Sequence, residues 1–199
     1  MLQQKRESFR VLERKTGSVF SRFNLSPNQY TLTSLLFAGI SFYFLTRLRF
    51  VPALIFFALA AFLDFIDGAV ARTTNRATKK GAYLDTVCDR YVEGIILLGF
   101  LFIPLPDIIF SSKIWIFLAL FGSLMTTYSK AAAKEKEIIT KELKIGFIGR
   151  GERMILVFFA MLLGIVNLYF TAYLIILFAV LTNITAVQRI CLTLGPGKC

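Results

Sequence analysis

The sequence predicts an all-α, polytopic membrane protein: six transmembrane helices preceded by an N-terminal interfacial amphipathic helix. Three observations predict it. The chain is 56 % hydrophobic over 199 residues, with a mean hydropathy of +0.68, far more apolar than a soluble domain. Six stretches approach the roughly 20 apolar residues that a bilayer crossing needs: 31–48, 52–71, 82–103, 113–131, 154–169 and 171–190. With six crossings, twenty of the 23 Lys and Arg fall in segments 1–30, 72–90, 130–153 and 189–199, leaving only Arg47, Arg49 and Lys113 opposite. The positive-inside rule then places both termini in the cytoplasm.

The elements follow in order within a single domain, residues 1–199, divided into a juxtamembrane helix at 1–25 and a bundle at 26–191. Residues 3–22 alternate Lys5, Arg6, Arg10, Arg14 and Lys15 with Phe9, Leu12, Val19 and Phe20, the pattern of a helix lying in the headgroup layer. No apolar stretch follows those charges closely enough to form a cleavable signal. Ser26 and Pro27 open the first span, the serine as a cap and the proline in the first turn. The second and third spans carry acidic residues, so a hydropathy scan trims both. The boundary between the fifth and sixth is soft near 167–173. Between the fourth and fifth lies the hydrophilic insertion Lys130–Arg153, helical at first and glycine-rich at Gly146–Gly151. Under this topology Cys88, Cys191 and Cys199 face a reducing compartment, which predicts no disulfide. The net charge of +11 is spread over loops between spans, which fits anionic lipid or phosphate and argues against nucleic acid.

The chemistry is concentrated in one pattern, D-x2-D-G-x2-A-R-x8-G-x3-D-x3-D, formed by Asp64, Asp67, Gly68, Ala71, Arg72, Gly81, Asp85 and Asp89. A charged residue at the centre of a membrane helix costs about 3 kcal/mol on insertion scales, so such residues face a cavity and mark function. Asp64/Asp67 and Asp85/Asp89 are three and four apart, so each pair projects from one helix face. The 17 residues between Asp67 and Asp85 let the first helix end, turn and re-enter antiparallel. Clustered carboxylates repel unless a cation or a shifted protonation relieves them. The chain has no histidine, which excludes imidazole catalysis, and an all-oxygen cluster suits Mg²⁺, Mn²⁺ or Ca²⁺ rather than zinc. A purely structural network with Arg72 and Arg90 does not require Gly68, Ala71 and Gly81 between the charges. Small residues there let a phosphate or nucleotide approach the backbone. Glu93, one turn beyond Asp89, belongs to the polar surroundings rather than the ligand set.

The pattern resembles, at every defined position, the signature of the CDP-alcohol phosphotransferases, and the likeness extends from about Ser26 to Arg189. The resemblance implies transfer of a phosphatidyl or archaetidyl group from a CDP-linked lipid to a small alcohol, with release of CMP. It implies one or two divalent cations, Mg²⁺ or Mn²⁺, held by Asp64, Asp67, Asp85 and Asp89, with Asp89 as the base. Asn28, Asp64, Asp67, Gly68, Ala71, Arg72, Thr78, Gly81 and Asp85 map to CDP binding. The segments around Thr127–Lys130, Arg153 and Arg189 look like the phosphatidylinositol-phosphate and archaetidylinositol-phosphate synthase branch, which implies an acceptor-phosphate site at Thr127, Lys130, Arg153 and Arg189. Arg150-Gly151 replaces a proline-containing turn common in that branch. Glycerol-3-phosphate and serine are the alternative acceptors, and a homodimer is the family's usual state. A divalent-cation transporter is the alternative from another class. It requires polar residues through both halves of the bundle, whereas the ionisable residues here gather at one face.

Overall fold

The computed structural model describes residues 15–21, 25–74, 76–138 and 146–195. Helices α1 (Pro27–Thr46), α2 (Phe50–Thr73), α3 (Lys79–Phe100), α4 (Ser112–Glu135), α5 (Arg150–Gly164) and α6 (Leu168–Leu194) account for most of it. Residues 15–20 are also helical. Among the described residues the only β feature is an isolated bridge between Ile108 and Phe110, so the chain is all-α as expected.

Three of the helices, α2, α4 and α6, are long and apolar enough to cross a membrane by length and composition. That is half of the six spans expected. At 15 residues α5 is shorter than a full crossing, while α3 contains Asp85, Asp89, Arg90 and Glu93, which lower its hydropathy. The break between α5 and α6 comes earlier than 167–173. Asn167 ends the connection, its side chain accepting a hydrogen bond from the Tyr169 amide at 2.8 Å as the N-cap of α6. The expected interfacial helix at 1–25 is described only at 15–21 and 25 and otherwise lies outside the described residues.

The chain forms two compact units. One comprises Met1–Tyr43 and Ile55–Ile96, and the other Phe44–Leu54 and Leu97–Cys199. In the first, Tyr30, Ile66 and Val70 form a buried cluster with Phe20 and Leu63 against it. A second cluster joins Ala38, Ala60 and Val92. Lipid tails are as apolar as leucine, so helices in a bilayer associate through close approach at small side chains, the role of Ala38 and Ala60. The helical stretch at 15–20 lies on the end of α2. A Cβ on Gly17 would fall 2.6 Å from the Ala69 carbonyl oxygen, and the Tyr30 hydroxyl donates to the Phe20 carbonyl at 2.9 Å. The N-terminal segment is thereby tied to the helix that carries Asp64 and Asp67.

In the second unit, α4 and α6 meet at Gly122. A Cβ there would lie 2.5 Å from Thr182 Oγ1. Asn183 Nδ2 crosses the contact to donate to the Leu118 carbonyl at 2.9 Å, and Thr171 of α6 donates to the Ala160 carbonyl of α5. The start of α4 is capped from outside the helix. Asp107 accepts from the Ser112 amide at 2.7 Å, a bond that holds its carboxyl below the usual carboxylate range. Cys88 is free and buried. Cys191, by contrast, is disulfide-bonded, which corrects the expectation of no disulfide. A compartment-based expectation cannot see which thiols the fold brings within bonding distance, and the partner of Cys191 lies outside the described residues.

Candidate active site

Helices α2 and α3 bring one carboxylate oxygen from each of Asp64, Asp67 and Asp85 within 4.8 Å of one another. The spacing explains it: Asp64 and Asp67 are one turn apart on α2, and Asp85 faces them from α3. At that separation two ionised carboxylates repel by about 3 kcal/mol per pair at an effective dielectric near 20. A bound cation or a shifted protonation relieves that repulsion, and three oxygen donors at this spacing fit a hard divalent cation. Asp89, a further turn along α3, is 7 % exposed and lies outside this group of three. Glu93, also buried, pairs with Arg90 at 3.0 Å.

Asp67 is the most enclosed of the three, at 5 % exposure. Its Oδ2 accepts a hydrogen bond from Thr31 Oγ1 of α1 at 2.7 Å. That hydroxyl fixes one carboxylate oxygen and so sets the direction of the other. Thr31 was not expected from the sequence, although it lies three residues after Asn28 and shares its helix face.

A cleft of about 160 Å³ opens beside the carboxylates, lined by Asn28 and Thr31 of α1, Asp67, Gly68, Ala71 and Arg72 of α2, and Thr78, Gly81 and Asp85 around the start of α3. Every residue expected to bind CDP except Asp64 lines it. Pro27, Arg76, Ala77 and Ala82 line it too, and the sequence had not pointed to them. Gly68 has a local reason. A Cβ there would sit 2.9 Å from Arg72 Nη2, so the missing side chain lets the guanidinium fold back along α2 into the cleft. At the other wall, the Thr78 hydroxyl accepts from the Gly81 amide at 2.9 Å and caps α3.

The second unit holds the expected basic residues. Arg153, at the start of α5, is 2 % exposed, and its Nη1 donates to Thr126 Oγ1 at 2.7 Å. Arg189 of α6 donates from Nη1 to the Thr126 carbonyl at 2.5 Å. Lys130 and Thr127 are half-buried on α4. Of the two adjacent threonines, Thr126 holds both arginines. The loop before α5 is pinned beside them: the Ile148 amide donates to Thr185 Oγ1 at 3.3 Å, and Glu152 reaches back to the Gly149 amide at 2.9 Å, as in a capping box.

A family model described as CDP-alcohol phosphatidyltransferase matches residues 24–187. This chain belongs to that family. The enzyme is an integral membrane transferase of phospholipid synthesis that uses a CDP-linked lipid. It is 35 % identical over 176 residues to archaetidylinositol phosphate synthase of Pyrococcus horikoshii, covering 88 % of this chain and 87 % of that one. Its fold is like that of phosphatidylinositol phosphate synthase of Mycobacterium tuberculosis. The crystal structure of that protein with CDP-DAG bound superposes with a TM-score of 0.79 at 24 % identity, covering 93 % of this chain and 95 % of the other. Its complex with manganese and citrate gives 0.78 at 24 % identity, covering 93 % and 90 %.

Proposed function

We propose that the enzyme transfers a phosphatidyl or archaetidyl group from a CDP-linked lipid to inositol phosphate, releasing CMP. The observation that carries this reading is the identity with the archaetidylinositol phosphate synthase over most of both chains. Asp64, Asp67 and Asp85 would hold one or two divalent cations, with Asp89 contributing. Bound there, a cation would supply the positive charge that offsets the diphosphate and the departing CMP. Asn28, Gly68, Ala71, Arg72, Thr78 and Gly81 take the CDP moiety in the cleft. Asp89 takes the proton of the attacking hydroxyl, a role suited to a carboxylate outside the three-oxygen cluster. Thr127, Lys130, Arg153 and Arg189 hold the acceptor phosphate, the arginines through a planar fork and the lysine as a point charge.

The deciding experiment is an acceptor panel with labelled CDP-lipid: inositol phosphate, glycerol-3-phosphate, serine and free inositol. Inositol phosphate should turn over fastest and free inositol not at all. A preference for glycerol-3-phosphate or serine would overturn the acceptor while leaving the family untouched. In the membrane, the reading places six spans, the active site and both termini toward the cytoplasm, and two chains in a homodimer. Cysteine labelling that reaches segment 130–153 from the side of Arg47 would reverse the topology, and a monomeric mass in native detergent would remove the dimer.

Thr31 supplies a further expectation. Thr31→Val removes the hydroxyl from Asp67 without changing volume and should weaken Mn²⁺ binding about tenfold, the range typical of partners that orient a metal ligand. Titration followed by Mn²⁺ EPR reads this directly, and wild-type affinity would assign Thr31 to helix packing alone.

A further inference from the structure

We infer that Thr126 is a positioning residue for acceptor binding, a single buried hinge post from which both phosphate-binding arginines are aimed. This rests on the assignment of Arg153 and Arg189 to the acceptor phosphate. Thr126 is fully buried, and Ser123, one turn before it, is 1 % exposed. The Thr126 hydroxyl donates to the Ser123 carbonyl at 2.8 Å, and the same oxygen accepts from Arg153 Nη1 at 2.7 Å. A guanidinium has no acceptor, so the direction of this relay, Arg153 to Thr126 to the Ser123 backbone, has no alternative. With its proton committed to the helix, the hydroxyl presents lone pairs to Arg153.

Arg189 is held by a different atom of the same residue, the Thr126 carbonyl. In an unbroken helix that oxygen already faces the amide four residues on, and its second lone pair serves the arginine. Two helices, α5 and α6, thus send guanidinium groups to one point on α4. Both acceptors on Thr126 are neutral. A carboxylate in this place would bind the arginines more tightly but would cancel the charge an anionic ligand needs. A hydroxyl and a carbonyl fix the planar forks and leave that charge in place. Chain entropy supports the same device, since each long arginine side chain pre-held in one rotamer loses less freedom when the phosphate arrives.

The side-chain contact and the backbone contact are separable by mutation. Thr126→Val keeps the shape, removes the hydroxyl and leaves the carbonyl that holds Arg189. In the full-length enzyme it should raise the KM for inositol phosphate about ten- to a hundredfold, the range for a hydrogen bond to a charged group. The KM for CDP-lipid should stay unchanged. Thr126→Ser should restore the acceptor KM, because it restores the oxygen. Thr126→Ala is the second variant should valine fail to fold, with the same expected effect. In the double variant, Thr126→Val should add nothing to the KM of Arg153→Ala, since the hydroxyl acts through that arginine, but should add its full effect to Arg189→Ala. A wild-type acceptor KM in Thr126→Val beside a raised one in Arg153→Ala overturns the role of Thr126 alone. An unchanged KM in Arg153→Ala overturns the acceptor site and the role of Thr126 with it. An equal penalty from Thr126→Val with and without Arg153 identifies a packing defect and overturns the positioning role.

Discussion

Asp64→Asn or Asp85→Asn should abolish turnover and weaken divalent-cation binding together. Each substitution keeps the side-chain shape and removes one of three charges whose oxygens lie within 4.8 Å. The loss of repulsion, about 3 kcal/mol for each pair removed, should make the folded protein no less stable, so thermal denaturation separates a lost ligand from a lost fold. Turnover should fall by three orders of magnitude or more, because the charge that develops on the departing nucleotide loses its compensation. Asp89→Asn should behave differently. It removes the proton acceptor, worth roughly 10²- to 10⁴-fold, while CDP-lipid binding stays largely intact. Full activity in EDTA, or in the Asp67→Asn protein, would end this account of the site.

The second large effect is expected at the arginines. Arg189→Ala and Arg153→Ala should each raise the acceptor KM by about 30- to 700-fold, corresponding to about 2–4 kcal/mol for one partner of a desolvated charge pair. CDP-lipid binding should change little in either. Arg189 is half-buried and gives the cleaner measurement. Arg153 is 2 % exposed, so its truncation also leaves a cavity and lowers stability. Arg153→Lys separates the two effects. Lysine fills most of the volume and keeps the charge, but it cannot present a fork, so its acceptor KM should stay high in a folded protein. If both alanine variants keep the wild-type acceptor KM, the phosphate is held elsewhere.

How far these sites were legible in the sequence differs from residue to residue. The aspartates were legible because helical periodicity relates residues three and four apart, and because charges in an apolar segment have few reasons to be there. The same periodicity could not tell which of the four would offer oxygens close together, since that depends on where along α3 its residues lie opposite α2. Thr31 went unseen because its partner is 36 residues away, and no local rule links a hydroxyl on one helix to a carboxylate on another. Thr126, beside the expected Thr127, was not singled out, yet it accepts hydrogen bonds from both arginines. Adjacent residues differ by about 100° around a helix, and both threonines lie within one turn of Lys130. Three of the six expected spans, α2, α4 and α6, were legible as apolar stretches, but the α5–α6 break followed a cap at Asn167 that hydropathy does not register.

By itself, then, the sequence determined the all-helical class, the membrane setting, the family and the acidic and basic residue sets. Each of these rests on composition or on spacing along one helix, which the covalent chain imposes before any tertiary contact forms. Only the tertiary structure decided which carboxylates converge, that α1 supplies a hydroxyl to Asp67, and that one threonine accepts hydrogen bonds from two arginines on different helices. Those are relations between helices, set by rotation and close approach at small residues such as Gly122, and a rotation of a fraction of a turn exchanges one neighbour for another.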